Sequence, residues 1–382
     1  VVLDAADHVL RPAILWNDGR AAGECAALDQ AARRIAGNRA MPGFTAPKLA
    51  WLRAQEPEVF AATRRVLLPK DFLRLRLTGE AVSDMSDAAG TLWLDVARRD
   101  WSDEMLALTG LTRAHMPRLV EGSAVSGRVV NTEWGIPAGV PVAGGAGDNA
   151  AGAVGLGCVA PGQAFVSLGT SGVVFVADAA PRPDPARTVH SFCHALPGLW
   201  HRMAVILSAG GALAWAASVL GADEATLARE AEAAEPGRVL FLPYLAGERT
   251  PHDDAAACGL WFGLEAGTTR GQMARAVMQG VAFALADGLD SLEAEGGPIP
   301  RLSLIGGGAR SGLWARLLAS ALDRPLTLVA DAGVGPALGA AQLAALATGA
   351  DPAAICTPPA ALGEALPEPA LAEARAHWRH LY

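Results

Sequence analysis

Three times along this chain a short apolar run meets a knot of glycines, and in two of them the hydrophobic period then changes. GVPVAGGAGDNAAGAVGLG (139–157) and RLSLIGGGARSGLWARLLASAL (301–322) read as strand, glycine turn and helix. AFVSLGTSGVVFVAD (164–178) reads as two strands around Gly169-Thr170-Ser171-Gly172. Glycine accepts backbone conformations closed to other residues, so such turns reverse the chain sharply or bring backbone close to a ligand. Strand, turn, helix and strand recur, which predicts an α/β fold. The 43 Gly and 25 Pro in 382 residues agree with many tight strand-to-helix switches.

The remaining pattern divides at 155–160, giving expected domains over 1–157 and 158–382. Residues 1–15 read as a strand, a polar turn and a second strand ending at Ile14-Leu15. Helical patterns follow over 20–35, 47–55, 56–64, 70–77 and 102–109, with a polar loop over 83–91. In the second half, long helical regions are predicted over 207–235 and 270–293, with a loop-rich stretch over 241–264. A strand over 326–329, a Gly/Ala-rich helix over 335–347 and a final helix complete the reading.

A net charge of −8 from 31 Lys+Arg and 39 Asp+Glu, without basic blocks, argues against nucleic-acid binding. The most apolar stretches, 150–166 and 333–347, are broken by Gly, Pro and Gln before a membrane span accumulates. Cys25, Cys158, Cys193, Cys258 and Cys356 form no CxxC pair, so a zinc ribbon or disulfide framework is not expected, and a reducing cytoplasm is.

Asp148 stands where a strand's end meets a glycine turn and a helix, the place where open α/β sheets hold ligands. It either caps that helix or takes a proton from a substrate hydroxyl. Thr170 and Ser171 sit in a turn that is either an ordinary hairpin or a cradle of backbone N–H groups for phosphate. Gly306-Gly307-Gly308 reads equally as tight packing or as room for a flat, anionic ligand. His190-Ser191-Phe192-Cys193-His194 reads as a packed strand rather than a zinc site, for lack of a further ligand pair. Asp84 and Asp87 read as turn and cap residues, and Arg249 and His252 as loop pins or phosphate contacts.

Taken in order, LRPAILWNDGRA (10–21), MPGFTAPKLAWL (41–52), LLPKDFLRLRLTGE (67–80), SDMSDAAGTLWLDV (83–96), GDNAAGAVGLG (147–157), SLGTSG (167–172), HSFCHALPG (190–198), FLPYLAGERTPH (241–252) and IGGGARSGLWARLLA (305–319) resemble the xylulokinase branch of the FGGY carbohydrate kinases. The resemblance covers nearly the whole chain. It implies two ribonuclease-H-like (actin-type) domains around a cleft, the first incomplete, and transfer of the γ-phosphoryl of ATP, with Mg²⁺, to O5 of D-xylulose. By the same resemblance Asp148 is the general base, and Trp16 and Asn149 stand near the sugar. Thr170 and Ser171 meet phosphate, Gly259 lies near the nucleotide phosphates, and Gly307, Gly308 and Ser311 meet the adenosine. A homodimer is implied too. Other FGGY kinases, for ribulose, fuculose, gluconate or glycerol, and a non-catalytic sugar- or nucleotide-binding protein are the alternatives. The family pattern's acidic Gly-Thr turn and Gln-Met-His motif are not found. The chain is therefore expected to lack about the first eighty residues of that pattern and to have little activity by itself.

Overall fold

The structure, a computed structural model, describes residues 1–330, 335–368 and 371–382. It is α/β with two domains. The first half carries strands in pairs only: β1 (Val2–Leu3) with β2 (Arg65–Val66), β3 (Val82–Asp84) with β6 (Arg118–Val120), β4 (Leu94–Asp95) with β5 (Asp100–Trp101), and β7 (Val125–Arg128) with β8 (Pro141–Ala143). Among them lie helices α1 (Cys25–Ile35), α2 (Thr45–Gln55), α3 (Pro57–Ala62), α4 (Pro69–Thr78), α5 (Met85–Ala89) and α6 (Asp103–Leu108). Helix α4 ends where Gly79 adopts φ 75, the left-handed conformation that glycine takes without a Cβ penalty. Helix α7 (Asp148–Gly155) follows the 144–147 turn.

The second half is built on a seven-stranded sheet. Its strands are β9 (Ala164–Leu168), β10 (Gly172–Asp178), β11 (His190–Cys193), β12 (Trp200–Ile206), β15 (Leu302–Ile305), β16 (Leu326–Val329) and β17 (Ala361–Ala365), in the order β11-β12-β10-β9-β15-β16-β17. β9 pairs antiparallel with β10 and parallel with β15, and β15 pairs parallel with β16. The short pair β13 (Leu240–Leu242) and β14 (Leu260–Phe262) stands apart. Helices α8 (Gly210–Leu220), α9 (Glu224–Ala233), α10 (Arg270–Gly296), α11 (Gly312–Leu322), α12 (Gly335–Ala347), α13 (Pro352–Ile355) and α14 (Ala372–Arg379) complete the chain.

Alternation along the strands decides what covers each face. Val166, Leu168, Val174, Val176, Ala204 and Ile206 share a core with α8, α10 and α11, including Leu213, Val281, Leu285 and Leu318. Phe165, Phe175, Ala177, Phe192 and Met203 point the other way, into a core shared with Leu28, Leu52, Trp93, Leu94 and Met105 of the first half. The first domain therefore closes one face of the second domain's sheet.

Several expectations need adjustment. Residues 83–91 are not a loop. Asp84 accepts hydrogen bonds from the backbone N–H of Ser86 and Asp87, which nucleates α5. The 207–235 region is two helices, divided where Gly221 is left-handed and Asp223 caps α9. The second strand expected up to Leu15 is reduced to a single bridge between Leu3 and Val9. β17 was not anticipated, because its residues lack alternation and all but Ala365 are exposed.

Candidate active site

The turn after β8 is Gly144-Gly145-Ala146-Gly147. A Cβ on Gly144 would lie 2.4 Å from the Glu121 carbonyl oxygen, so only glycine lets the chain pass there. Gly144 N donates to Ala124 O (2.8 Å) and Gly145 N to Gly122 O (3.0 Å), and Gly147 N donates to Ser86 Oγ (3.0 Å). The helix then begins at Asp148. Gly147, not Asp148, occupies the capping position, and no side chain caps α7. The Asp148 carboxylate is exposed, and its Oδ1 accepts from the backbone N–H (2.7 Å) and Nδ2 (3.0 Å) of Asn149. The helix N-terminus favours a negative charge at this point. The carboxylate is thus held locally and open to a ligand, with Asn149 half-buried beside it.

Helix α7 is small-residued because another helix crosses it. A Cβ on Gly339 would lie 1.8 Å from Ala151 O, and one on Gly155 would lie 2.1 Å from Gly335 O. This contact ties the helix that begins at Asp148 to α12.

A second constellation forms a cleft of about 990 Å³ in the second domain. One wall is the β9–β10 turn. Gly210 N donates to Gly169 O (2.7 Å), while Ala209 N and Gly211 N both donate to Thr170 O (2.9 and 3.0 Å). Ser171 Oγ donates to Leu207 O (3.2 Å). A Cβ on Gly210 would stand 2.6 Å from Gly169 O, so the α8 start rests directly on the turn. The opposite wall is Gly307-Gly308, reached through Gly306 at φ 91, where a Cβ would meet Leu168 O at 2.6 Å. Ser311 Oγ accepts from Trp314 N (3.3 Å) and starts α11. Ala225, Ala228 and Met278 give the cleft apolar surface, and Arg229, Arg310 and Glu232 give it charge. Exposed backbone, a rim with two arginines (Arg229 and Arg310) beside Glu224 and Glu232, and an apolar back suit a ligand with a phosphate and a flat apolar part.

The structure brings Thr170, Gly307, Gly308 and Ser311 into this cleft, with Ser171 exposed beside Thr170. Asp148 and Asn149 do not line it. Trp16 is 75% exposed on a loop whose carbonyl abuts Gly43, and it too stands outside. Gly259 is held under the Leu245 side chain, where a Cβ would approach to 2.5 Å. Sequence reasoning missed Gly210, Gly211 and Arg229. The signal for the pair was Gly210-Gly211 following the β12 strand; an isolated Arg on α9 gave none.

Behind the 144–147 turn lies a buried charge cluster. Lys70 Nζ stands 2.7 Å from Asp71, 2.5 Å from Asp84 and 3.1 Å from Asp87. Burial opposes the Lys70 charge, but these carboxylates outweigh it and hold the ammonium well above its ordinary range. Burial pushes the Asp87 carboxyl up to about 6, with Lys70 opposing and Asp84 and Asp71 adding to the rise. Asp84 has the capping role expected of it.

His190, Phe192 and Cys193 form a buried strand, β11, as read from the sequence. Among the described residues no group of three His, Cys, Asp or Glu side chains could hold a metal ion. His252 pairs with Tyr244 (3.1 Å) and Arg249 stands 3.5 Å from His190, so both pin the loop in which they lie. No helix of the described residues is long and apolar enough to cross a membrane.

The FGGY family of carbohydrate kinases has an N-terminal domain model that matches residues 1–155 and a C-terminal domain model that matches residues 164–348. The first match runs over residues 1–155, against the expectation of a first domain lacking about eighty residues of the family pattern. The chain is 53% identical over 357 residues to xylulose kinase from Escherichia coli K12, covering 91% of this chain and 73% of that one. A structure of a xyloylose kinase from Brucella ovis superimposes with a TM-score of 0.96 at 52% identity, covering 100% of this chain and 81% of the other. One of xylulose kinase from Rhodospirillum rubrum gives 0.90 at 31% identity, with 100% and 81% coverage.

Proposed function

Because the chain belongs to the FGGY family of carbohydrate kinases, we propose that it transfers the γ-phosphoryl group of ATP to O5 of D-xylulose, giving D-xylulose 5-phosphate and ADP. The observation that carries the reading is the glycine-walled cleft. Gly169-Thr170, Gly210-Gly211 and Gly307-Gly308 all line it, and the glycines leave backbone there open to a ligand. Thr170 and Ser171 hold the phosphates, the stretch from Gly307 to Ser311 takes the adenosine, and Gly259 stands on the phosphate side. Asp148 is the general base, and Asn149 and Trp16 orient the sugar.

Phosphoryl transfer asks little covalent chemistry of a protein; it asks for alignment and charge neutralisation. The exposed Asp148 carboxylate takes the proton of the attacking hydroxyl. When bound with the nucleotide, Mg²⁺ would supply neutralisation of phosphate charge. Asp148 and the nucleotide cleft lie in separate places, so the two domains close on each other to bring sugar and phosphate in line.

The sheet order, with β12, β10 and β9 antiparallel and β9, β15 and β16 parallel, supports a ribonuclease-H-like second domain over 158–382, and 1–157 forms the sugar-side domain. Five free cysteines suit the cytoplasm. A homodimer is part of this proposal, and exposed Val130, Trp134 and Val140 offer it apolar surface.

The experiment is Asp148→Asn in a coupled assay of ADP release across a panel of ketoses and polyols. The variant is expected to lose about 10²- to 10⁴-fold in kcat with D-xylulose. Unchanged turnover removes the base assignment, and equal or better turnover of another sugar by the parent enzyme removes xylulose.

A further inference from the structure

We infer that Ser86 is a positioning residue for Asp148, acting through the backbone N–H of Gly147; the inference rests on Asp148 being the base. Three of the four residues before Asp148 are glycines, so the turn has little stiffness of its own. Its geometry is set by what its amides bond to. Gly144 and Gly145 are held by the carbonyls of Ala124 and Gly122. The last anchor before the carboxylate is a side chain, Ser86 Oγ, which accepts from Gly147 N at 3.0 Å.

That hydroxyl has no freedom to turn away. Ser86 is 6% exposed, and its O–H donates to Asp84 Oδ1 at 2.6 Å. Asp84 is fully buried, and the same oxygen also accepts the N–H of Ser86 (2.9 Å) and of Asp87 (3.0 Å). Its other oxygen lies 2.5 Å from Lys70 Nζ. The serine proton therefore points at Asp84, and a lone pair faces the Gly147 amide, which can only donate. Arg74 adds a second tie from the same helix α4, donating to Val82 O (2.5 Å) and to Gly144 O. The buried charges are thus connected, through one hydroxyl, to the peptide that enters α7. A solvated Lys–Asp pair would impose no such direction.

The test is steady-state kinetics on the whole chain. Ser86→Ala leaves the Gly147 amide unbonded and frees the turn. We expect kcat to fall about tenfold or more, with the KM values for sugar and ATP within threefold, since misplacement near 1 Å is worth up to about 10²-fold in rate. Ser86→Thr keeps the hydroxyl and should return kcat to within about threefold of the parent. In an Asp148→Asn background, Ser86→Ala should cost less than about twofold, because the group it serves is gone. If Ser86→Ala does not fold, Ser86→Cys gives the same reading, with an expected loss of about three- to tenfold from its weaker hydrogen bond. Wild-type kcat in the folded Ala or Cys variant, or equal losses with and without Asp148, overturns the inference. Full turnover by Asp148→Asn alone would instead overturn the base assignment, so the two failures are told apart.

Discussion

Gly339→Ala places one methyl group where α7 and α12 cross. Its carbon would lie 1.8 Å from Ala151 O, 2.7 Å from Ala151 C and 2.9 Å from Gly155 N. The first of these is backbone within a helix and cannot rotate away. To reach ordinary contact the helices must part by about 1.5 Å, an overpacking that costs roughly 1–3 kcal/mol. Helix α7 starts at Asp148 and its far end rests on Gly335. Parting the helices therefore tilts the carboxylate, and a displacement near 1 Å lowers turnover by about 10²-fold. The melting temperature should fall by about 5 °C, from the usual entropy of unfolding of a domain this size. The assays are ADP release and thermal unfolding, with Leu338→Ala as control, since Leu338 is 41% exposed on the same helix and should change neither. Gly339→Ala with kcat within twofold of the parent and an unchanged melting temperature would refute the argument that this crossing aims Asp148.

Two further outcomes are expected. Burial pushes His190 down to about 3, with Arg249 adding to it, and His194 down to about 4, while burial and both neighbours hold His201 well below its ordinary value. These rings fold neutral, so their contribution is full above an unfolded pKa near 6.5 and is lost as pH falls towards 4. Burial raises Glu248 to about 7 and Asp87 to about 6, and both offset part of this because they favour the protonated fold. The net loss between pH 7 and pH 5 is roughly 2 kcal/mol, visible as a falling melting temperature; a flat profile would contradict it. In thiol titration of the native protein, exposed Cys258 should react first and alone. Burial raises Cys158 and Cys193 to about 12 and Cys25 to about 11, and Cys356 is buried, so two or more fast thiols would contradict the burial described.

Much of the local structure was legible because its causes are local. Gly79 at positive φ closes α4, and the glycine turns before Asp148, after Leu168 and after Ile305 lie where the apolar runs end. Position in the chain also singled out Asp148, but left open whether it caps the helix. The backbone removes the cap reading: Gly147 takes the capping place and leaves the carboxylate in solvent. The 83–91 segment was misread because its polar residues mimic a loop. Asp84 and Ser86 are buried by Lys70 and by the Gly147 turn, which lies 61 positions from Ser86 in sequence.

Hydrophobic period and glycine placement determined, from the sequence alone, an α/β chain with carboxylate, hydroxyl turn and triple glycine at three strand ends. Tertiary structure decided that the β9–β10 turn, the α8 start and the Gly306–Gly308 stretch share one cleft, and that Asp148 lies outside it on a helix clasped to α12. The physical reason is separation along the chain. A turn's φ angles and a strand's alternation are fixed by neighbours, whereas the fit of Gly339 against Ala151 depends on two helices nearly two hundred residues apart, each of which alone would tolerate alanine.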